Sequence, residues 1–261
     1  MIAHEVVGSG EPLLMIMGLS GTRKAWWRLL PHLTEHAECI VFDNRGTGDS
    51  PGVRGPLSMR DLVEDALSVL DATGHDSAHV LGVSMGGMIA QHLALDHRER
   101  VRSLVLGCTT PVGRSGLPPW RLLAATALRP VVGPGKTAPL LAPALYGERT
   151  RREHPERMRE DLAKRLDEAV SARTSFAQML AIGGHSTRDR LGELAGLDVT
   201  VIHGEDDALV PFERGVELAE GIPGARLVAI PACGHMLTTD AEEESAAAVV
   251  EHLQRVRAAA A

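Results

Sequence analysis

Short apolar runs bounded by turn residues alternate along the 261-residue chain with longer stretches whose apolar residues recur every three to four positions. Leu13–Met17, Cys39–Phe42, Ala78–Val83, Ser103–Leu106, Val199–His203 and Arg226–Ile230 are mostly apolar without strict alternation, as strands are when both faces are covered. Ile2–Val7 predicts one more strand at an edge. Between these runs, Arg23–His36, Met59–Thr73, Met85–His97, Phe212–Glu220 and Ala241–Arg257 predict helices; Leu62, Ala66, Val69 and Leu70 fall on one face of the second. Strands joined through helices of this length form a mostly parallel central sheet with helices on both faces, an α/β fold.

The alternation stops between Pro111 and Leu197, where Pro118, Pro119, Pro130, Pro134, Pro139 and Pro143 punctuate the chain and no strand pattern appears. Glu156–Val170 carries Met158, Leu162, Leu166 and Val170 as a narrow apolar stripe on a charged helix, and Ala172–Ile182 predicts another helix. The expected organisation is a core of residues 1–112 and 197–261 with an inserted helical cap of residues 113–196.

Apolar residues make up 44% and charged residues 23% of the chain, which excludes a disordered or fibrous protein. A formal charge of -7 leaves no general basic field for nucleic acid. The local cluster Arg149, Arg151 and Arg152 alternates with Glu148 and Glu153 and reads as a solvated helix face. Three cysteines, Cys39, Cys108 and Cys233, are odd in number and far apart, so reduced thiols and a cytoplasmic location are expected. No membrane segment is expected, because the apolar run Leu13–Leu19 is too short to span a bilayer.

Gly82-Val83-Ser84-Met85-Gly86 places a serine between a predicted strand and a predicted helix, with glycines leaving room for a sharp turn. Such a turn holds the hydroxyl above the carboxyl end of the sheet, beside helix N–H groups that favour developing negative charge. Serine is a poor nucleophile at neutral pH and needs a base within reach, itself oriented by a carboxylate. Two later loops at the same sheet edge offer them: Gly204-Glu205-Asp206-Asp207 through Pro211, and Ala232-Cys233-Gly234-His235.

With these motifs the chain resembles the α/β-hydrolase superfamily, whose triad runs nucleophile, acid, histidine in chain order. The resemblance covers nearly the whole chain and weakens in the cap. It implies an α/β-hydrolase fold with Ser84 as nucleophile, Asp207 as acid in Gly-x-x-Asp-x-x-x-Pro, and His235 as base. Asp206 and Glu205 compete for the acid role; the spacing to Gly204 and Pro211 favours Asp207. The family's alternative acid position, after the strand ending at Leu106, holds Gly107-Cys108-Thr109-Thr110 and no carboxylate. The resemblance further implies an oxyanion hole from the backbone N–H groups of Met85 and Leu19. Relatives carry His-Gly where this chain has Met17-Gly18. Asp43-Asn44-Arg45-Gly46-Thr47-Gly48-Asp49-Ser50 is similar to a structural turn of the family beside the active site.

The expected substrate is a small ester or lactone, met by Gly18, Ser20, Trp120, Phe176 and Met179. Trp26 and Trp27 either wall the pocket or form a buried helix face. Cys233 reads as packing. Gly133-Pro134-Gly135-Lys136-Thr137 lacks the first glycine and the preceding strand of a phosphate loop, so nucleotide binding is not expected. No Cys or His cluster has metal-ligand spacing, and neither metal nor cofactor is expected. A serine at position 84 excludes the aspartate-dependent haloalkane dehalogenases and epoxide hydrolases of the superfamily. Acyl transfer, perhydrolysis and carbon–carbon bond hydrolysis on the same triad are the alternatives, with a ligand-binding protein as the non-catalytic one.

Overall fold

A computed structural model describes residues 1–113, 134–167 and 170–260. Seven strands, β1 (His4–Gly8), β2 (Pro12–Ile16), β3 (Glu38–Phe42), β4 (Ala78–Val83), β5 (Val101–Gly107), β6 (Val199–Gly204) and β7 (Arg226–Ile230), form one sheet in the order β1-β3-β2-β4-β5-β6-β7. β1 is antiparallel to β3 and every other pairing is parallel. The carboxyl ends of β2 to β7 therefore share one edge.

The helices, in chain order, are α1 (Leu30–Leu33), α2 (Met59–Ala72), α3 (Met85–Asp96), α4 (Pro134–Leu145), α5 (Glu148–Glu153), α6 (Pro155–Asp167), α7 (Ala172–Gly183), α8 (Glu213–Gly221), α9 (Leu237–Asp240) and α10 (Glu242–Ala260). Alternate strand residues feed two cores. Leu14, Ile16, Val80, Leu104 and Val201 pack with α2, α3 and Leu218 of α8. Leu13, Met15, Leu81, Val105 and Ile202 pack with Trp26, Leu33 and, from α10, Ala248, Val249 and Leu253. Covering both faces is why these strands read as continuous apolar runs.

One expected helix is corrected. Arg23–His36 is not one helix but a 3-10 turn at Arg23–Trp26 followed by the short α1, with Pro31 in its first turn. A continuous helix would set the Pro31 ring against the Trp27 carbonyl and lose one hydrogen bond. The expected helix Ala241–Arg257 forms as α10, which starts one residue later, at Glu242, after the non-helical Ala241, and runs on to Ala260. Glu242, Glu243 and Glu244 occupy its first turn, where the free N–H groups favour acid.

Between β5 and β6 lie α4 to α7. The segment leaves and returns side by side, through a bridge between Val112 and Ser186 and a 2.9 Å bond from Gly113 N–H to His185 O. Arg188–Leu194 then forms a 3-10 helix whose Leu191 and Leu194 enter the first core. Of the expected Met158–Val170 stripe, Val170 falls beyond α6. Arg149 and Arg152 are exposed on α5, as a solvated face requires, while Thr150 is buried.

Candidate active site

Ser84 joins β4 to α3 with φ 58° and ψ -121°, a conformation that costs a non-glycine residue about 1–3 kcal/mol and persists only when its surroundings enforce it. They do. Ser84 N–H donates to Gly107 O at 2.8 Å, and the Thr109 hydroxyl donates to Ser84 O at 2.7 Å. A Cβ on Gly82 would collide with the Gly86 carbonyl, and one on Gly86 with the Ile16 carbonyl, so the flanking glycines let three backbone segments meet. The Ser84 side chain makes no capping bond to α3. Its Oγ instead lies 3.0 Å from His235 Nε2.

His235 follows β7, and its Nδ1 lies 2.8 Å from Asp207 Oδ2. An ionised carboxylate only accepts, so Nδ1–H is the donor and Nε2 is left to accept the Ser84 proton. Asp207 stands on the loop after β6 with its side chain fully buried. Its second oxygen accepts the N–H groups of Leu209 and Val210 at 2.9 and 2.8 Å. Burial opposes ionisation of Asp207, but the attraction of His235, the bonds from His203 and His235 and the Val210 amide outweigh it and hold the carboxyl well below the usual range. The neighbouring acids Glu205 and Asp206 are exposed. Asp207 is thus the acid of the three that meets His235.

The loop after β2 comes close to the serine: a Cβ on Gly18 would lie 3.5 Å from Ser84 Oγ. Met85, at the start of α3, is fully buried, and Leu19 is 37% exposed. The loop bears no histidine before Gly18, but Asn44 Nδ2 donates to Met17 O at 2.9 Å. Asn44 is itself placed by the turn that contains Asp43, whose buried carboxylate accepts from Arg23 and from the Asp49 N–H. The expected structural turn therefore supports the loop beside Ser84.

Ser20 is bound to α7 through Ser175 and Gln178. Phe176 and Met179 lie on the same helix, 58% and 39% exposed. Trp120 lies outside the described residues. Trp26 is fully buried in the second core, which settles the choice between wall and helix packing; the Trp27 ring has the Arg28 guanidinium carbon 4.1 Å and Lys164 Nζ 4.4 Å from its centroid. Cys233 is buried, and burial pushes its thiol up, away from the thiolate a nucleophile needs.

One grouping is absent from the sequence reading. Ligand atoms of Cys108, Asp207 and His235 lie within 4.8 Å of one another. Burial, reinforced by the Asp207 charge, pushes the Cys108 thiol well up. The sequence reading also passes over His203, whose Nε2–H donates to Val210 O at 2.9 Å and lies 3.4 Å from Asp207 Oδ2. A histidine at the end of a buried strand, directly before Gly-x-x-Asp, is the signal. For Gln178 the signal is a polar residue on the small apolar face of α7 that carries Ala177 and Ala181.

A family model for the alpha/beta hydrolase fold matches residues 11–241, and the chain belongs to that family. It is an enzyme of the hydrolase class. Among its relatives, "Putative carbamate hydrolase RutD" of Azorhizobium caulinodans is 32% identical over 232 residues, covering 87% of this chain and 85% of the relative. The malate-bound structure of a thermophilic esterase from Thermogutta terrifontis superposes with a TM-score of 0.84 at 28% identity, over 98% of this chain and 93% of that one. Est816, described as an N-acyl homoserine lactone degrading enzyme, gives 0.81 at 27% identity over 95% of each chain.

Among the described residues no helix is long and apolar enough to cross a membrane.

Proposed function

We propose that the protein is a serine hydrolase that cleaves a carboxylic ester or lactone of a small hydrophobic substrate through an acyl-enzyme. The observation that carries this reading is the unbroken bond sequence from Ser84 Oγ to His235 at 3.0 Å and from His235 to Asp207 at 2.8 Å, on a serine whose side chain serves no cap. Ser84 Oγ attacks the carbonyl carbon while His235 Nε2 takes its proton, and Asp207 stabilises the imidazolium that forms. The negative charge on the carbonyl oxygen is met by the N–H groups of Leu19 and Met85, each such donor contributing about a hundred- to a thousand-fold in rate. His235 returns the proton to the leaving alkoxide. Water, activated by the same imidazole, then releases the acid and restores Ser84.

In this reading residues 1–112 and 197–261 are the catalytic core and 113–196 the cap. Gly18, Ser20, Trp120, Phe176 and Met179 contact the substrate. The esterase and the lactone-degrading enzyme among the neighbours support an ester or lactone carbonyl. The RutD relative favours a carbamate as second substrate class, since the same attack on a carbamate carbonyl requires no further group. The test is a panel of p-nitrophenyl esters of rising acyl length, simple lactones and an aryl carbamate, run with the native enzyme and Ser84→Ala. Turnover of at least one short ester, abolished in Ser84→Ala, is expected. Equal rates for the two proteins would refute the assignment, and a preference for the carbamate would select the second class.

A further inference from the structure

The loop that carries Leu19 is a four-residue turn, closed by a 3.1 Å bond from Gly21 N–H to Gly18 O. Ser20 has φ 57°, and Leu19 is absent from the residues with positive φ. This is the pattern of a type II turn, whose third position is normally glycine or asparagine. A serine there is strained, and rotating the Leu19–Ser20 peptide plane by half a turn would convert the turn towards type I and relieve it.

That rotation is opposed from outside the loop. Ser20 N–H donates to Gln178 Oε1 at 2.8 Å, and Ser20 Oγ lies 2.8 Å from Ser175 Oγ. Both partners belong to α7, which follows 158 and 155 residues later in the chain. Gln178 is fully buried, and its Nε2 has no partner among the described residues. A buried amide with an unused donor is destabilising, and methionine would fill the same space without that penalty. What methionine lacks is the acceptor for Ser20.

We infer that Gln178, assisted by Ser175, is a positioning residue for the oxyanion hole: by tethering Ser20 it holds the Gly18–Gly21 turn in place against α7, and with the turn the Leu19 N–H that it carries. This rests on the assignment of Leu19 as an oxyanion donor. Gln178 touches no reacting atom in this account; it acts through the turn. Its loss should weaken binding of the charged transition state much more than binding of the neutral ester, and so lower kcat with little change in KM.

The test compares Gln178→Met, which keeps length but removes the acceptor, with Gln178→Glu, which keeps an acceptor at the same reach. On p-nitrophenyl butyrate, Gln178→Met is expected to lower kcat by at least about 10-fold, a fraction of the worth of one oxyanion donor, with KM within about 3-fold. Inhibition by an aryl trifluoromethyl ketone, whose serine adduct carries the same oxyanion, should weaken by the factor lost in kcat/KM. Gln178→Glu should stay within about 3-fold of the native enzyme on both readouts. Gln178→Asn retracts the amide by one methylene and should match the methionine variant; it replaces that variant if Gln178→Met fails to fold. Native kcat in the Met or Asn variant, or an equal loss in Gln178→Glu, overturns the inference. Full activity in Ser84→Ala would instead overturn the hydrolase mechanism itself.

Discussion

Two ends of the same sheet carry serine–histidine pairs, and only one has the makings of an active site. At the carboxyl edge, Ser84 stands off the strand at φ 58°, half-buried, with His235 held by a carboxylate. At the opposite edge, Ser103 of β5 lies 2.7 Å from both His79 Nδ1 and His252 Nε2, distances as short as any in the Ser84 site. Every member of this second chain is buried. His252 Nδ1 lies 2.9 Å from the Thr200 hydroxyl and 3.2 Å from Arg255, which can only donate, so Nδ1 must accept and His252 Nε2–H donates to Ser103. The Ser103 proton is then committed to His79. Proximity of serine and imidazole is therefore insufficient: His79 Nε2 also lies 3.7 Å from a carboxylate, that of Glu11, and what the buried Ser103 lacks is an oxygen that a substrate can reach.

Substitutions can break this contrast. The largest effect is expected from Asp207→Asn, which disrupts the tautomer that leaves Nε2 as an acceptor and should lower kcat by about 10⁴-fold, measured on any turned-over ester. Ser103→Ala should leave kcat within about 2-fold but strand two buried imidazole nitrogens, destabilising the fold by about 1–3 kcal/mol in urea unfolding. A rate loss in Ser103→Ala without a stability loss would reverse the assignment of the two ends.

Acid sharpens the same comparison. Burial, then the charges of Arg255 and His79, pushes His252 down to about 4 from an ordinary value of 6.5. Because the folded value is the lower one, the unfolded chain binds the proton first as pH falls. The stability contributed by neutral His252 is complete above pH 6.5 and is lost progressively between 6.5 and about 4, by about 3 kcal/mol for this group. His252→Gln should flatten that part of the urea midpoint against pH. The smallest effects are expected from Cys233→Ala and Asp206→Asn, each leaving kcat/KM within about 3-fold, since one thiol is buried and protonated and the other carboxylate is solvated. A hundred-fold loss in either would show that the Ser84 site is incompletely drawn.

Much of this was legible in one dimension. A strand buried on both faces must be apolar throughout, so five of the runs were visible for that reason, though not the largely exposed edge strand β7, and Gly82 to Gly86 marked the turn because only glycine lets β4, α3 and the end of β2 approach so closely. The break in the helix after Arg23 is also written in the chain, at Pro31. Less visible were residues whose role depends on distant partners. Gln178 and Ser20 are 158 positions apart, and neither has a local pattern that names the other.

By itself the sequence determined the alternating architecture, the place of the serine and a short set of candidate acids and bases, because periodicity and backbone sterics act over a few residues. The tertiary structure decided which of twelve histidines meets Ser84, that Asp207 rather than Asp206 faces it, and that Ser103 is locked away in a buried chain. Those outcomes depend on burial and hydrogen-bond geometry between segments far apart in the chain, which exist only once the sheet has brought the loops to one edge.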